Sequence, residues 1–127
     1  MKPTYVHNTE DCRAVSEILQ RVGDKWTVLV VSKLGQGTMR FNELRNAIGG
    51  ISQKMLTTTL RGLERDGFVT RTVFPTIPPR VDYALTPLGE ELLVPVHALG
   101  EWAKINTARV NAARAEFDAC CPERAKA

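Results

Sequence analysis

The apolar period of this chain changes at Gly67, and that change limits the folds open to it. Before Gly67 the apolar residues recur at helical spacing. From Phe68 to Phe74, and again from Arg80 to Leu85, they alternate as in strands, whose successive side chains point to opposite faces. The two alternating runs flank Pro75-Thr76-Ile77-Pro78-Pro79, a stiff loop, and together they read as a β-hairpin with a proline-rich tip. The expected fold class is therefore mainly α with one small hairpin, an α+β chain.

The stretch just before the change, Ile51 to Gly67, reads as a helix with two different faces. At about 100° per residue, Leu56, Leu60 and Leu63 fall within an arc of roughly 60° and mark a packed side. Gln53, Lys54, Thr57, Thr58, Arg61 and Arg65 fall on another face, which is read as free of acids, with Glu64 and Asp66 outside it. Ser52 is placed to cap the helix, Ile51 to pack against Met55 or Leu56, and Gly67 to end it in a left-handed conformation. A cationic face of this kind suits the edges of bases. The alternative is a surface helix whose polar side simply meets water.

Met1 to Asp11 is polar and expected to be irregular. Cys12 to Val22 follows as a helix with Val15, Ile18, Leu19 and Val22 on one side. Asp24 caps a second helix, Lys25 to Leu34, whose buried side is expected to be Trp26, Leu29, Val30 and Leu34. The β-branched residues there also suit a strand, but the cap and the helical context favour a helix. Thr38 to Arg40 reads as a short extended piece. Phe41 to Ile48 is a third helix, ended by Gly49-Gly50, and the two-faced helix follows at once. Two helices joined by a short Gly-containing turn form a helix-turn-helix, over residues 41–66, and the hairpin over 68–85 is then a wing.

Thr86 caps a last helix with Pro87 in its first position, where a missing N–H costs nothing. It is expected to run from 87 to 117, with Leu92, Val96, Leu99, Ala103, Ala113 and Phe117 in its stripe and a kink at Pro95. Leu88, Leu93, Trp102 and Ile105 widen the apolar surface beyond what one small domain covers. The helices at 12–22 and 87–117 are therefore expected to form a homodimer interface. The alternative is that the last helix packs on its own core.

A chain of 127 residues with 43% hydrophobic and 24% charged residues fits one globular domain, 1–127. No apolar run approaches the roughly 18 residues of a membrane span, and Met1 to Glu10 lacks a signal-peptide core, so a cytoplasmic protein without a membrane partner is expected. The net charge of +3 is unevenly spread. Residues 40–80 hold seven cations and three acids, a net +4, while the remainder holds ten and eleven. The excess positive charge thus surrounds the two-faced helix, as in a nucleic-acid footprint. The three cysteines, Cys12, Cys120 and Cys121, argue against a disulfide framework, and no Cys/His cluster has zinc spacing. No catalytic constellation, phosphate loop or metal set is present, so neither an enzyme nor a cofactor is expected.

Five segments, in this order, resemble the HxlR-type bacterial transcription regulators, which are related to the MarR group. They are Gly23-Asp24-Lys25-Trp26-Thr27, Arg40-Phe41-Asn42-Glu43-Leu44, the run from Gly49 to Arg71, Pro78-Pro79-Arg80-Val81-Asp82-Tyr83 and Leu85-Thr86-Pro87-Leu88-Gly89. The resemblance runs from about Cys12 to Trp102 and implies a homodimeric winged-helix DNA-binding protein that dimerises through its first and last helices. It also implies a sensor role for Cys12, because several members carry an oxidant- or electrophile-responsive cysteine near the N-terminus. In the family proline commonly follows that cysteine; here Arg13 does. Arg13 is a cation of the kind that favours thiolate, and Asp11 opposes it.

The expected partner is double-stranded DNA, bound at a pseudo-palindromic operator, with an oxidant or small molecule as effector and repression as the outcome. Gln53, Lys54, Thr57 and Thr58 are the expected base readers, with Ser52 at the helix start beside them. Arg61 is expected on phosphate, and Arg40, Asn42 and Arg45 near the backbone. Arg80 is expected in the minor groove or on phosphate, with pairing to Asp82 as its alternative. Arg65 has an ion pair with Glu64 or Asp66 as its alternative, and Trp26 is expected in the core. The competing classes are a winged-helix protein-interaction module without DNA binding, and a thiol enzyme acting through Cys12.

Overall fold

The computed structural model describes residues 9–120, with side chains from Cys12 onward. The stretch before Thr9 and Cys121 lie outside the described residues. The elements in order are α1 (Thr9–Val22), α2 (Lys25–Leu34), β1 (Met39–Arg40), α3 (Phe41–Ile48), α4 (Gln53–Arg65), β2 (Val69–Phe74), β3 (Arg80–Leu85) and α5 (Pro87–Cys120). This is the expected winged helix-turn-helix, mostly helical with a small antiparallel sheet. α1 begins at Thr9 rather than Cys12, because threonine and acidic residues suit a helix start as well as a loop. α5 passes Phe117 to reach Cys120, with no Gly or Pro in between to stop it.

Local chemistry sets most of these boundaries. Asp24 Oδ1 accepts the N–H groups of Trp26 at 2.8 Å and Thr27 at 3.3 Å and so starts α2. The side of α2 that is buried is Thr27, Val30, Val31 and Leu34. Trp26 and Leu29, expected there, are only half-buried, and the Lys25 ammonium sits 4.5 Å from the centre of the Trp26 ring. The stripe has turned by one residue, which helical spacing alone allows because Thr27 and Val31 are also one turn apart.

The turn between α3 and α4 uses two successive left-handed residues, Gly49 at φ 70° and Gly50 at φ 71°. A side chain at either would be strained, so the pair dictates the tightness of the turn. Ser52 Oγ then accepts the Met55 N–H at 3.0 Å and caps α4. At the other end Gly67 takes φ 84°, its N–H donates to Glu64 O at 3.1 Å, and the Phe68 N–H donates to Leu63 O at 2.9 Å. This double closure is a Schellman motif. It also explains why the strand starts at Val69 and not at Phe68: the Phe68 N–H is spent on the helix.

Leu56, Leu60 and Leu63 point inward from α4 and, with Val30, Val31, Leu34 and Leu44, form the buried core. The sheet has the order β1-β3-β2. β2 and β3 form the expected hairpin, in register from Val69↔Leu85 to Phe74↔Arg80. β1 pairs with the far edge of β3 through Met39↔Tyr83 and Arg40↔Asp82, which ties the start of α3 to the wing. Thr86 Oγ accepts the Gly89 N–H at 3.1 Å and caps α5.

The chain divides between Leu93 and Val94 into two compact units. The second is the remainder of α5, where Asn106 Nδ2 donates to Trp102 O at 2.8 Å and Arg109 Nη1 to Asn106 Oδ1 at 3.1 Å. Leu99, Trp102, Ile105 and Phe117 are exposed along it. Among the described residues no helix is long and apolar enough to cross a membrane.

Candidate nucleic-acid interface

Two open grooves meet where the helix-turn-helix faces the wing. The larger, about 840 Å³, is lined by Arg40, Asn42 and Glu43 from the start of α3 and by Pro78, Pro79, Arg80 and Asp82 from the wing. The smaller, about 420 Å³, has Phe41, Leu60, Val81 and Tyr83 in its walls and Gln53, Thr57, Arg61, Glu64 and Arg71 among its polar groups. Phe41 and Val81 border both, so the grooves are neighbours.

The structure thus brings Arg40, Asn42 and Arg80 together, and separately gathers Gln53, Thr57 and Arg61. Lys54 and Thr58 are exposed but line neither groove; they lie on the outer side of α4. Thr57 Oγ1 donates to Gln53 O at 2.8 Å and Thr58 Oγ1 to Lys54 O at 3.0 Å. Each hydroxyl proton is therefore used within the helix, which leaves the oxygen as an acceptor and the methyl group for apolar contact. Ser52 is occupied as the cap of α4. Arg45 Nε donates to Ile51 O at 3.4 Å across the turn, which leaves its terminal nitrogens for other acceptors.

Glu64, read from sequence as lying outside the polar face, lines the smaller groove with Gln53, Thr57 and Arg61. The physical reason is the helical repeat. Eleven residues is close to three turns, so Glu64 stands over Gln53. The groove is mixed in sign, and Arg71 of β2 adds a cation that was not among the residues expected from sequence. Strand alternation was the available signal, since the register sets Arg71 opposite Tyr83.

Arg80 takes the alternative partner. Its Nε and Nη2 donate to Asp82 Oδ1 and Oδ2 at 3.0 and 2.9 Å, and its guanidinium carbon lies 4.8 Å from the centre of the Phe74 ring. The hydrogen bonds from Arg80 hold the Asp82 carboxyl below its ordinary value, and Asp82 in turn raises that of Arg80. Arg80 still lines the groove, but as half of a neutral pair within β3, and its contact with Phe74 is the one that crosses the hairpin. Arg65 stands 3.8 Å from Asp66, a long and exposed contact of little energy.

Comparison with known proteins decides the family. The model of the HxlR-like helix-turn-helix family matches residues 21–111. The chain belongs to that family. Among relatives, an HTH-type transcriptional regulator, YtfH of Escherichia coli (strain K12), is 47% identical over 100 residues, 79% of each chain. The structure of the transcriptional regulator ytfH from Salmonella typhimurium superposes with a TM-score of 0.74 at 45% identity, covering 79% of this chain and 89% of that one. The redox regulator HypR in its reduced form gives a TM-score of 0.72 at 37% identity, covering 78% of this chain and 98% of that one. This HxlR-type chain is thus a transcriptional regulator of the winged helix-turn-helix kind.

Proposed function

We propose that the protein is a repressor that binds a pseudo-palindromic operator as a homodimer. The observation that carries this reading is α4. It is capped at both ends and anchored by three buried leucines, and it presents Gln53, Lys54, Thr57, Thr58 and Arg61 beside a wing. The N-terminal part of such a helix meets base edges in the major groove, with Gln matched to adenine, Lys to guanine and a Thr methyl to the thymine methyl. Arg61, Arg40, Asn42 and Arg45 serve the backbone, and Arg80, paired with Asp82 on its own strand and set over Phe74 of the other, stands on the wing over the minor groove.

Dimerisation accounts for the apolar surface. Val15, Ile18 and Leu19 of α1 are 54–59% exposed, and Leu99, Trp102 and Ile105 of α5 are 57–74% exposed. A second copy of the chain covers both sets and spaces two recognition helices about 34–36 Å apart, one turn of DNA.

Thiol control at Cys12 draws support from the structural likeness to HypR, a redox regulator, and from the place of Cys12 in the first turns of α1, where it is half-buried. Oxidation there, alone or bridged to the partner protomer, shifts the spacing of the reading helices.

The test is fluorescence anisotropy with the duplex upstream of the protein's own gene against a shuffled duplex, with reduced and diamide-treated protein. Preference for the native duplex supports the regulator, and loss of it on diamide in the parent but not in Cys12→Ser supports the thiol switch. No preference at any salt points to a protein partner instead. Lys54→Ala is expected to change which base is preferred at one position, by about 1–3 kcal/mol, while Arg61→Ala weakens all duplexes alike. Glu64→Gln removes the acid from the smaller groove, and shuffled-duplex binding is expected to tighten about fivefold, given about 1 kcal/mol for one charge pair in water.

A further inference from the structure

Among the described residues, the ion pair that joins α1 to α4 is made by Arg21, in the last turn of α1. Its Nε donates to Asp66 Oδ2 at 2.8 Å, and the two side chains are 32% and 28% exposed. Asp66 is the C-cap of α4, so the guanidinium also sits at the negative end of that helix. A third feature completes the arrangement. The guanidinium lies on Gly62, and a β-carbon there would overlap Nη1 and Cζ of Arg21. A glycine inside a helix costs stability relative to alanine, and its use here leaves room for the arginine head.

We propose that Arg21 is a positioning residue: through Asp66 and the bare backbone of Gly62 it fixes the recognition helix to α1, so the pose in which α4 meets DNA follows the placement of α1. The planar, forked head of arginine suits this task better than the point charge of lysine. α1 carries Val15, Ile18 and Leu19, the exposed face given above to the second copy. Any displacement of α1 against that copy is therefore delivered to the C-terminal turn of α4. Neither Arg21 nor Asp66 lines the two DNA-facing grooves, so the effect on binding is indirect. The inference rests on the DNA-binding reading of α4 for its consequence, but the junction itself does not.

The experiment uses the full chain with Gly62→Ala, Arg21→Ala and the double variant. Gly62→Ala keeps every charge and improves helix propensity, so its Tm should hold or rise. Its preference for operator over shuffled duplex should nevertheless fall about tenfold, with the salt slope unchanged. A merely structural role moves Tm and both affinities together. Arg21→Ala should lose the same preference, and the double variant should be no worse than either, because both changes break one junction. Additive losses, or an unchanged preference in both single variants, overturn the proposal. Amide hydrogen exchange supplies a readout free of DNA: Arg21→Ala should speed exchange in the last turns of α1 and α4 together. If the parent shows no operator preference, the DNA reading has failed, and exchange alone decides the junction. Faster exchange in both turns then supports it, and no change in α4 overturns it.

Discussion

Between about 50 and 200 mM salt, operator affinity is expected to fall by about 10³–10⁵-fold. Arg40, Arg45, Lys54, Arg61 and Arg71 are all exposed on the helix-turn-helix and wing, and a dimer presents each twice. Roughly 6–10 phosphate contacts per dimer are then within reach, and each displaces condensed counterions at a slope of about −0.9 in log K against log salt. Glu64 and the Arg80–Asp82 pair set the upper limit, because one acid opposes the field and one cation is already neutralised. A titration of anisotropy against potassium chloride reads the slope directly. A slope near zero would falsify the DNA reading whatever the fold.

Leu56→Ala is expected to destabilise the protein by about 2–5 kcal/mol, from a total of about 5–15 kcal/mol. Leu56 is 0% exposed and sits under the N-terminal half of α4, behind the proposed base readers. Truncation removes its transfer energy and leaves a cavity in the core that also holds Leu44, Leu60, Val30 and Val31, all of them buried. Urea unfolding should show a lower midpoint with a near-constant slope. Lys54→Ala, one helical face away, should stay within about 0.5 kcal/mol of the parent. The opposite result, with Leu56→Ala silent and Lys54→Ala unfolding the chain, would mean that the two faces of α4 are exchanged.

The thiol switch proposed at Cys12 depends on where that residue sits in the fold. It sits on α1, and α1 is the helix that Arg21 ties to α4. In that proposal, oxidation at one end of α1 would reach α4, held at the other end, through the helix itself. The Gly62→Ala variant separates the two ideas: it should loosen the response to diamide if the junction transmits it, with Cys12 unchanged.

What the sequence determined by itself was the series of elements and their ends. α2, α3 and β3 run over the residues read from the chain, because Asp24, Gly49-Gly50, Ser52, Gly67, Thr86 and Pro87 act on backbone groups within a few positions of themselves. The winged helix-turn-helix and most of the candidate contact residues follow from that order. Only the tertiary structure decided which partner each side chain takes. Glu64 joined the smaller groove, Arg80 turned to Asp82, Trp26 gave up the core to Thr27 and Val31, and Arg21 found Asp66 forty-five positions away. Helix periodicity names a face only to within a residue or so, and charge pairing depends on distances that the packed core sets. Capping and turn chemistry act along the chain and so can be read along it; the groove, the Arg80–Phe74 contact and the junction depend on space between elements.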